Sequence, residues 1–239
     1  MNRIALAIAV MYLSAGHALP QALPSAEARS QEEFDLYVDF HETSVPEARH
    51  QAALRFARTY PDSKLLADMY ESEFDYLRSR GDGQGAIAAG RNLLRMAPSN
   101  VKALLGLAEV VPNGTSDPAV LDTAEAYARK ALLALRELQF THDVSLSECE
   151  AVQRALGARA HAAIGYVFGK EGKIGEGIKE LETEVAMSPE AVGSDLLRLG
   201  KLYRVANREH DAIEMFNRAA KVGPPEIRLR AESELKTGR

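Results

Sequence analysis

Six histidines and a single cysteine are the residues of this 239-residue chain best able to carry covalent or metal chemistry, and their spacing argues against it. His142-Asp143 lies seven residues ahead of Cys149, across a predicted loop and helix start, and zinc is not gripped at that spacing. Cys149 stands alone, so an intrachain disulfide and a multi-cysteine metal site are both excluded. Glu148 and Glu150 flank it and oppose thiolate formation, so it reads as a structural thiol buried among apolar neighbours. His41 and His50 lack nearby partners in sequence, and His17 falls in an apolar leader. Neither HExxH nor GxSxG occurs, and no carboxylate pair with a supporting pocket stands out. Gly81-Asp82-Gly83-Gln84-Gly85 superficially suggests a phosphate loop. It lacks the Lys-Ser/Thr step and follows a helix rather than a strand, so it reads as a turn, as does the glycine-rich run 169–177. Asn113-Gly114-Thr115 matches a glycosylation sequon, a tripeptide common by chance. No metal, cofactor or catalytic residue is expected. The competing reading is an accessory or hydrolytic site around residues 139–149.

The elements that position these residues repeat. Residues 159–189 read RAHAAIGYVFGKEGKIGEGIKELETEVAMSP, and residues 194–224 read SDLLRLGKLYRVANREHDAIEMFNRAAKVGP. Ile164-Gly165 falls on Leu199-Gly200, Phe168 on Tyr203, Leu181 on Phe216 and Pro189 on Pro224, all at an offset of 35 residues. Gly81 and Pro98 stand 91 residues ahead of Gly172 and Pro189, and Asn207 and Pro224 keep the same internal spacing of 17. Asn is the usual substitute where Gly ends a helix. Each unit therefore predicts a helix, a turn and a second helix closed by proline. A pair of amphipathic helices cannot cover its own apolar face, so neighbouring units must stack. Gly165 and Gly200 are placed where the first helix crosses the second, faced by Gly177 and Ala212. Leu181, Phe216 and Tyr203 are expected to fill the gap towards the next unit. Ile164 and Leu199 must occupy equivalent shielded positions.

Along the chain, Arg3 precedes an uncharged apolar run of ten residues, IALAIAVMYL, and then small residues ending at Ala18. That is the layout of a secretory leader, 1–18, too short to span a bilayer, which needs roughly 20 residues. Residues 19–30 read as a flexible linker. Helical text fills 31–236. Ser44 with Glu47 predicts a capping box, as does Ser145 with Glu148. Asp117 with Pro118 predicts a helix start, and the helix opened by Ser145 runs unbroken through Tyr166 and Phe168. Residues 139–147 interrupt the pattern, and residues 225–236 supply a polar last helix that caps the stack.

Residues 67–100, 158–191 and 193–226 resemble the tetratricopeptide repeat family, with 30–63 and 101–138 matching more loosely. The pattern departs at the first-helix tryptophan, replaced by Tyr70, Leu104, His161 and Leu196, and in the 67–100 unit, where Glu73-Phe74 stands for the apolar–glycine step. The resemblance implies an all-α, right-handed α-solenoid of about five stacked helix–turn–helix repeats whose first helices line a concave groove for a peptide or protein. Carried over by position, the groove-facing residues include Asp68, Glu71 and Asp75, then Arg159, Ala163, Tyr166 and Lys170, then Leu197, Arg198, Lys201 and Arg204. The groove is thus expected to be acidic at one end and basic at the other, where a carboxylate could be held. Asp75, Tyr166 and Lys201 stand where the chaperone-tail binders of this family carry asparagines, so that ligand is not expected.

Composition agrees. A hydrophobic content of 46% with 26% charged residues fits a folded chain, and the net charge of −5 gives no basic footprint for nucleic acid. The expected function is a non-enzymatic adaptor or scaffold, exported to a bacterial periplasm or secreted, without a stable membrane span after leader cleavage. The alternative from the same features is a homo-oligomeric structural protein, or an accessory subunit of an envelope enzyme complex.

Overall fold

Helix signals at the ends of each segment decide the architecture. The computed structural model describes residues 28–138, 145–188 and 192–237, so the leader, residues 139–144 with His142, and Pro189 lie outside the described residues. The described residues form eleven helices and no strand: α1 (Gln31–Glu42), α2 (Pro46–Thr59), α3 (Leu66–Ser79), α4 (Gly83–Met96), α5 (Val101–Val110), α6 (Pro118–Arg136), α7 (Leu146–Lys170), α8 (Ile174–Met187), α9 (Gly193–Val205), α10 (Glu209–Val222) and α11 (Pro225–Thr237). They pack as five successive pairs, α1 with α2 through α9 with α10, and α11 closes the stack against α9 and α10.

Side-chain caps start several helices. Asp82 Oδ1 accepts from Gly85 N at 2.9 Å, Asn100 Oδ1 from Ala103 N at 2.9 Å, and Asp117 Oδ1 from Ala119 N at 3.0 Å. Ser145 and Glu148 complete the expected capping box, and α7 runs from there for 25 residues through Phe168. The Ser44 expectation is corrected. Pro46 takes the first helical position and Val45 becomes the N-cap with no side-chain bond, while Glu47 accepts instead from the Tyr76 hydroxyl.

The three turns matched by sequence share one geometry. Gly81 and Gly172 have φ of 74°, and Asn207 has φ of 59°, the left-handed region that ends a helix. In each, the next residue's N–H reaches back six residues inclusively, Asp82 to Leu77 O, Lys173 to Phe168 O and Arg208 to Tyr203 O, at 2.8–3.0 Å. The same closure recurring at both offsets is the backbone counterpart of the repeat.

Ile164 and Leu199 are both shielded, 0% and 1% exposed, as stacking requires. A Cβ on Gly165 would lie 2.7 Å from Leu181 Cγ, and one on Gly200 would lie 2.6 Å from Phe216 Cε1, so both glycines mark the crossings. Leu181 and Phe216 therefore cover the glycine of their own pair, and they also pack towards the next unit, Leu181 in one core with Leu196 and Leu199, and Phe216 with Ile227 and Ala231 of α11. The departure at Phe74 is resolved by its partner helix together with Gly106 of α5, where a Cβ would lie 2.5 Å from Phe74 Cζ. Gly90 stands sixteen residues on, where the other units carry Leu181 and Phe216, and a Cβ there would meet Phe74 Cε2 at 2.9 Å. Large and small have exchanged helices. Arg78 lies 5.4 Å from the Phe74 ring and Arg204 4.7 Å from the Phe216 ring, so an arginine at one shared repeat position covers the ring whichever helix supplies it.

Candidate functional site

The candidate residues lie on the first helix of their pairs at spacings of three and four, which line one face of a helix. On α3, Glu71 and Asp75 converge on one cation supplied by α5. Lys102 Nζ is 3.0 Å from Glu71 Oε1 and also bonds Asp75, while Asn100 Nδ2 donates to Glu71 Oε2 at 3.1 Å. Burial opposes the ammonium charge, but the Glu71 and Asp75 carboxylates outweigh it and hold Lys102 above the ordinary lysine range. Asp68 sits apart from them, accepting from the Tyr37 hydroxyl of α1 with His41 Nε2 at 3.6 Å.

Glu109 of α5 is the next bridge. Its Oε2 takes Arg78 of α3 at 2.6 Å, and its Oε1 takes Arg159 of α7 through Nε at 2.9 Å and Nη2 at 2.7 Å. Lys170 donates to Pro112 O at 2.8 Å and lies 5.3 Å from the Tyr166 ring, with the Arg198 guanidinium 4.4 Å from the same ring. Arg198 also donates to Asp195 Oδ1 at 2.5 Å. At the far end Lys201 and Arg204 converge on Glu234 of α11, at 3.1 and 2.7 Å, and Arg204 adds Glu209 at 3.0 Å. A carboxylate does occupy the basic end, and it is the chain's own.

The face is therefore a ladder of cross-links between successive first helices, α3 to α5 to α7 to α9 to α11. Seven of the nine candidates form three groups on it, Glu71 with Asp75, Tyr166 with Lys170 and Arg198, and Lys201 with Arg204. Asp68 and Arg159 belong to separate contacts. Leu197 and Ala163, expected on this face, are buried instead, because they lie on the side of the helix turned into the core.

Sequence reasoning missed Lys102, Glu109 and Glu234. Glu109 stands at the same repeat position as Asp75, Tyr166 and Lys201, and Lys102 at that of Arg159. Mapping the looser 101–138 unit position by position finds both. Glu234 has no such signal, because α11 has no partner helix to set its register.

His161 Nδ1 is 2.6 Å from Glu180 Oε2, His50 stacks on Tyr76 at 4.4 Å, and Cys149 is half-buried rather than enclosed. Among the described residues no group of three or more His, Cys, Asp or Glu is placed to hold a metal ion, and no helix is long and apolar enough to cross a membrane.

No family model matches the chain, and no curated protein matches it. Solved structures do. MamA of Desulfovibrio magneticus RS-1, from residue 41 to its end, aligns with a TM-score of 0.51 at 18% identity, over 82% of this chain and 97% of that one. MamA of AMB-1 aligns with a TM-score of 0.52 at 15% identity, over 83% and 97%. TTC0263, a thermophilic TPR protein of Thermus thermophilus, aligns with a TM-score of 0.48 at 18% identity, over 86% and 98%. The likeness is one of fold. This chain has the tetratricopeptide-repeat architecture, an all-α solenoid of stacked helix–turn–helix units.

Proposed function

We propose that this protein is a binding scaffold that holds a peptide or protein partner along the face of its first helices. The partner would lie across Arg159, Tyr166, Lys170 and Arg198 at the middle, between the Asp68, Glu71 and Asp75 end and the Lys201 and Arg204 end. One observation carries this reading: Tyr166 stands half-buried at mid-face with guanidinium and ammonium groups at 4.4 and 5.3 Å from its ring. An amphipathic ring edged by cations offers apolar contact and a preference for acidic segments together. We further propose that the protein works outside the cytoplasm, in a bacterial envelope, on the strength of the leader pattern in residues 1–18.

The test is a photo-crosslinking residue placed at Tyr166, with the exposed Lys130 of α6 as the comparison site, in cells producing the full chain. A partner held on this face yields a discrete adduct from position 166, absent from position 130 and weakened by Arg198→Glu. Equal labelling from both positions, or none from 166, refutes the reading. The amino-terminal residue of protein recovered from the periplasmic fraction tests export separately: a start at Met1 refutes leader cleavage.

A further inference from the structure

The last core holds two acids that the repeat does not call for, Glu184 and Asp195, the latter where other units carry Ala160 and Met69. Counting three residues on from Leu181, Phe216 and Gly90 gives Glu184, Ala219 and Leu93. All three are buried, at 2%, 0% and 0% exposure, yet one of them is a carboxylic acid. Its Oε2 is enclosed and has no hydrogen-bond partner among the described residues. An ionised carboxylate left so is costly, because neither water nor a donor replaces its hydration.

Its surroundings make the cost depend on protonation. Asp195, in the first turn of α9, is the second buried acid at this joint, 7% exposed. Arg218 of α10 is the cation within electrostatic reach, but it forms no ion pair with Glu184 among the described residues. His161 of α7 is committed to Glu180, one turn earlier than Glu184 on α8. Asp195 is not isolated. It holds Arg198, and Arg198 covers the Tyr166 ring on the first-helix face. Contacts thus run to that face from Asp195, whose charge acts on the buried Glu184.

We propose that the joint between α8 and α9 is operated by a proton on Glu184: the neutral acid lets the fourth and fifth repeats close, and loss of the proton to water loosens them and shifts Arg198 against Tyr166. This holds whatever the face binds. Burial, and then the neighbouring Asp195 charge, push the Glu184 carboxyl up to about 7 against the opposing pull of Arg218. The folded chain therefore keeps this proton to higher pH than the unfolded chain, whose ordinary glutamate lies at 4.5. Closure is complete below that ordinary value, weakens as pH rises through the interval, and stays weak above about 7.

Hydrogen–deuterium exchange of the full chain tests it, with labelling times scaled for the intrinsic pH dependence of exchange. Between pH 5.5 and 8, protection of amides in α9 and α10 is expected to fall about tenfold while α3 and α4 hold theirs. Glu184→Gln is expected to abolish that fall. Should the glutamine variant not fold, Glu184→Ala carries the same expectation, since Ala219 fills the corresponding place. Four results overturn the proposal: no fall in the wild type, an equal fall in every repeat, an undiminished fall in the Glu184 variant, or a fall abolished only by Asp195→Asn.

Discussion

Exchanging Gly200 and Phe216 tests the rule that each helix pair accommodates one large and one small residue at its crossing. Gly200→Phe alone adds bulk where even a Cβ lies 2.6, 2.8 and 3.1 Å from three atoms of the Phe216 ring, so neighbours must move. Overpacking of this kind costs about 1–3 kcal/mol. Phe216→Gly alone removes a ring that is 0% exposed, which costs about 3–5 kcal/mol for the cavity, with roughly 1 kcal/mol more for glycine inside a helix. Independent effects would sum to about 5–9 kcal/mol in the double variant. The 67–100 unit is the natural form of that double variant, with Phe74 on the first helix, Gly90 on the second, and Arg78 still over the ring. The double exchange is therefore expected to recover about 2–3 kcal/mol relative to additivity. Urea unfolding followed by far-UV circular dichroism measures it, since the chain has no tryptophan to report otherwise. Repeats can open separately, so exchange protection in α9 and α10 should be read alongside. Strictly additive losses would refute the compensation argument and leave Phe74 and Gly90 as two unrelated substitutions.

Arg204→Glu sets a carboxylate beside Glu234 and Glu209 and uncovers the Phe216 ring, so a loss of about 1–3 kcal/mol is expected in thermal unfolding; Lys201→Glu, half-exposed with one partner, should cost less than about 1 kcal/mol. Asn207→Val should cost roughly 1–2 kcal/mol because its φ of 59° crowds a branched Cβ, whereas Asn207→Gly should cost nothing. Glu184→Gln should stabilise the protein by about 2–3 kcal/mol at pH 8 and by almost nothing at pH 4.5, because the acid it removes is costly only when ionised. A pH-independent gain would show that the side chain's shape, not its charge, is what the core resists.

How much was legible in sequence follows from which forces are local. Turn closure is local, so Gly81, Gly172 and Asn207 could be matched before any coordinates, and their φ values agree. Crossings involve two helices sixteen residues apart, so reading Phe74 by itself made the 67–100 unit look aberrant, whereas reading it with Gly90 makes it regular. Ser44 failed as a cap because a proline two residues on fixes the start of α2 more strongly than a hydroxyl does. The cross-helix pairs on the first-helix face span 27 to 58 residues and depend on which rotamers meet, so charge pattern alone suggested open ends where the structure has closed pairs.

Those closed pairs constrain how the proposed face could bind. A partner approaching Lys201 or Arg204 must displace Glu234, and one approaching Arg159 must displace Glu109. Each exchange trades one charge-assisted contact for another of similar strength, so half-exposed cations contribute little net affinity there. They still set the sign of the field that a partner meets first, and so its orientation and arrival rate, an effect that salt weakens over about 8 Å at physiological strength. Affinity then has to come from contacts other than exchanged ion pairs, and at mid-face that means the half-buried Tyr166 ring, which a partner would share with Arg198 and Lys170, beside the small Ala162. On this reasoning Tyr166→Ala slows nothing on approach but shortens the lifetime of a complex, while Arg159→Gln slows approach and leaves the lifetime nearly unchanged. Surface-plasmon kinetics with the partner recovered by crosslinking separates the two rates. Equal effects of both changes on dissociation would mean that the ion pairs, not the ring, hold the partner.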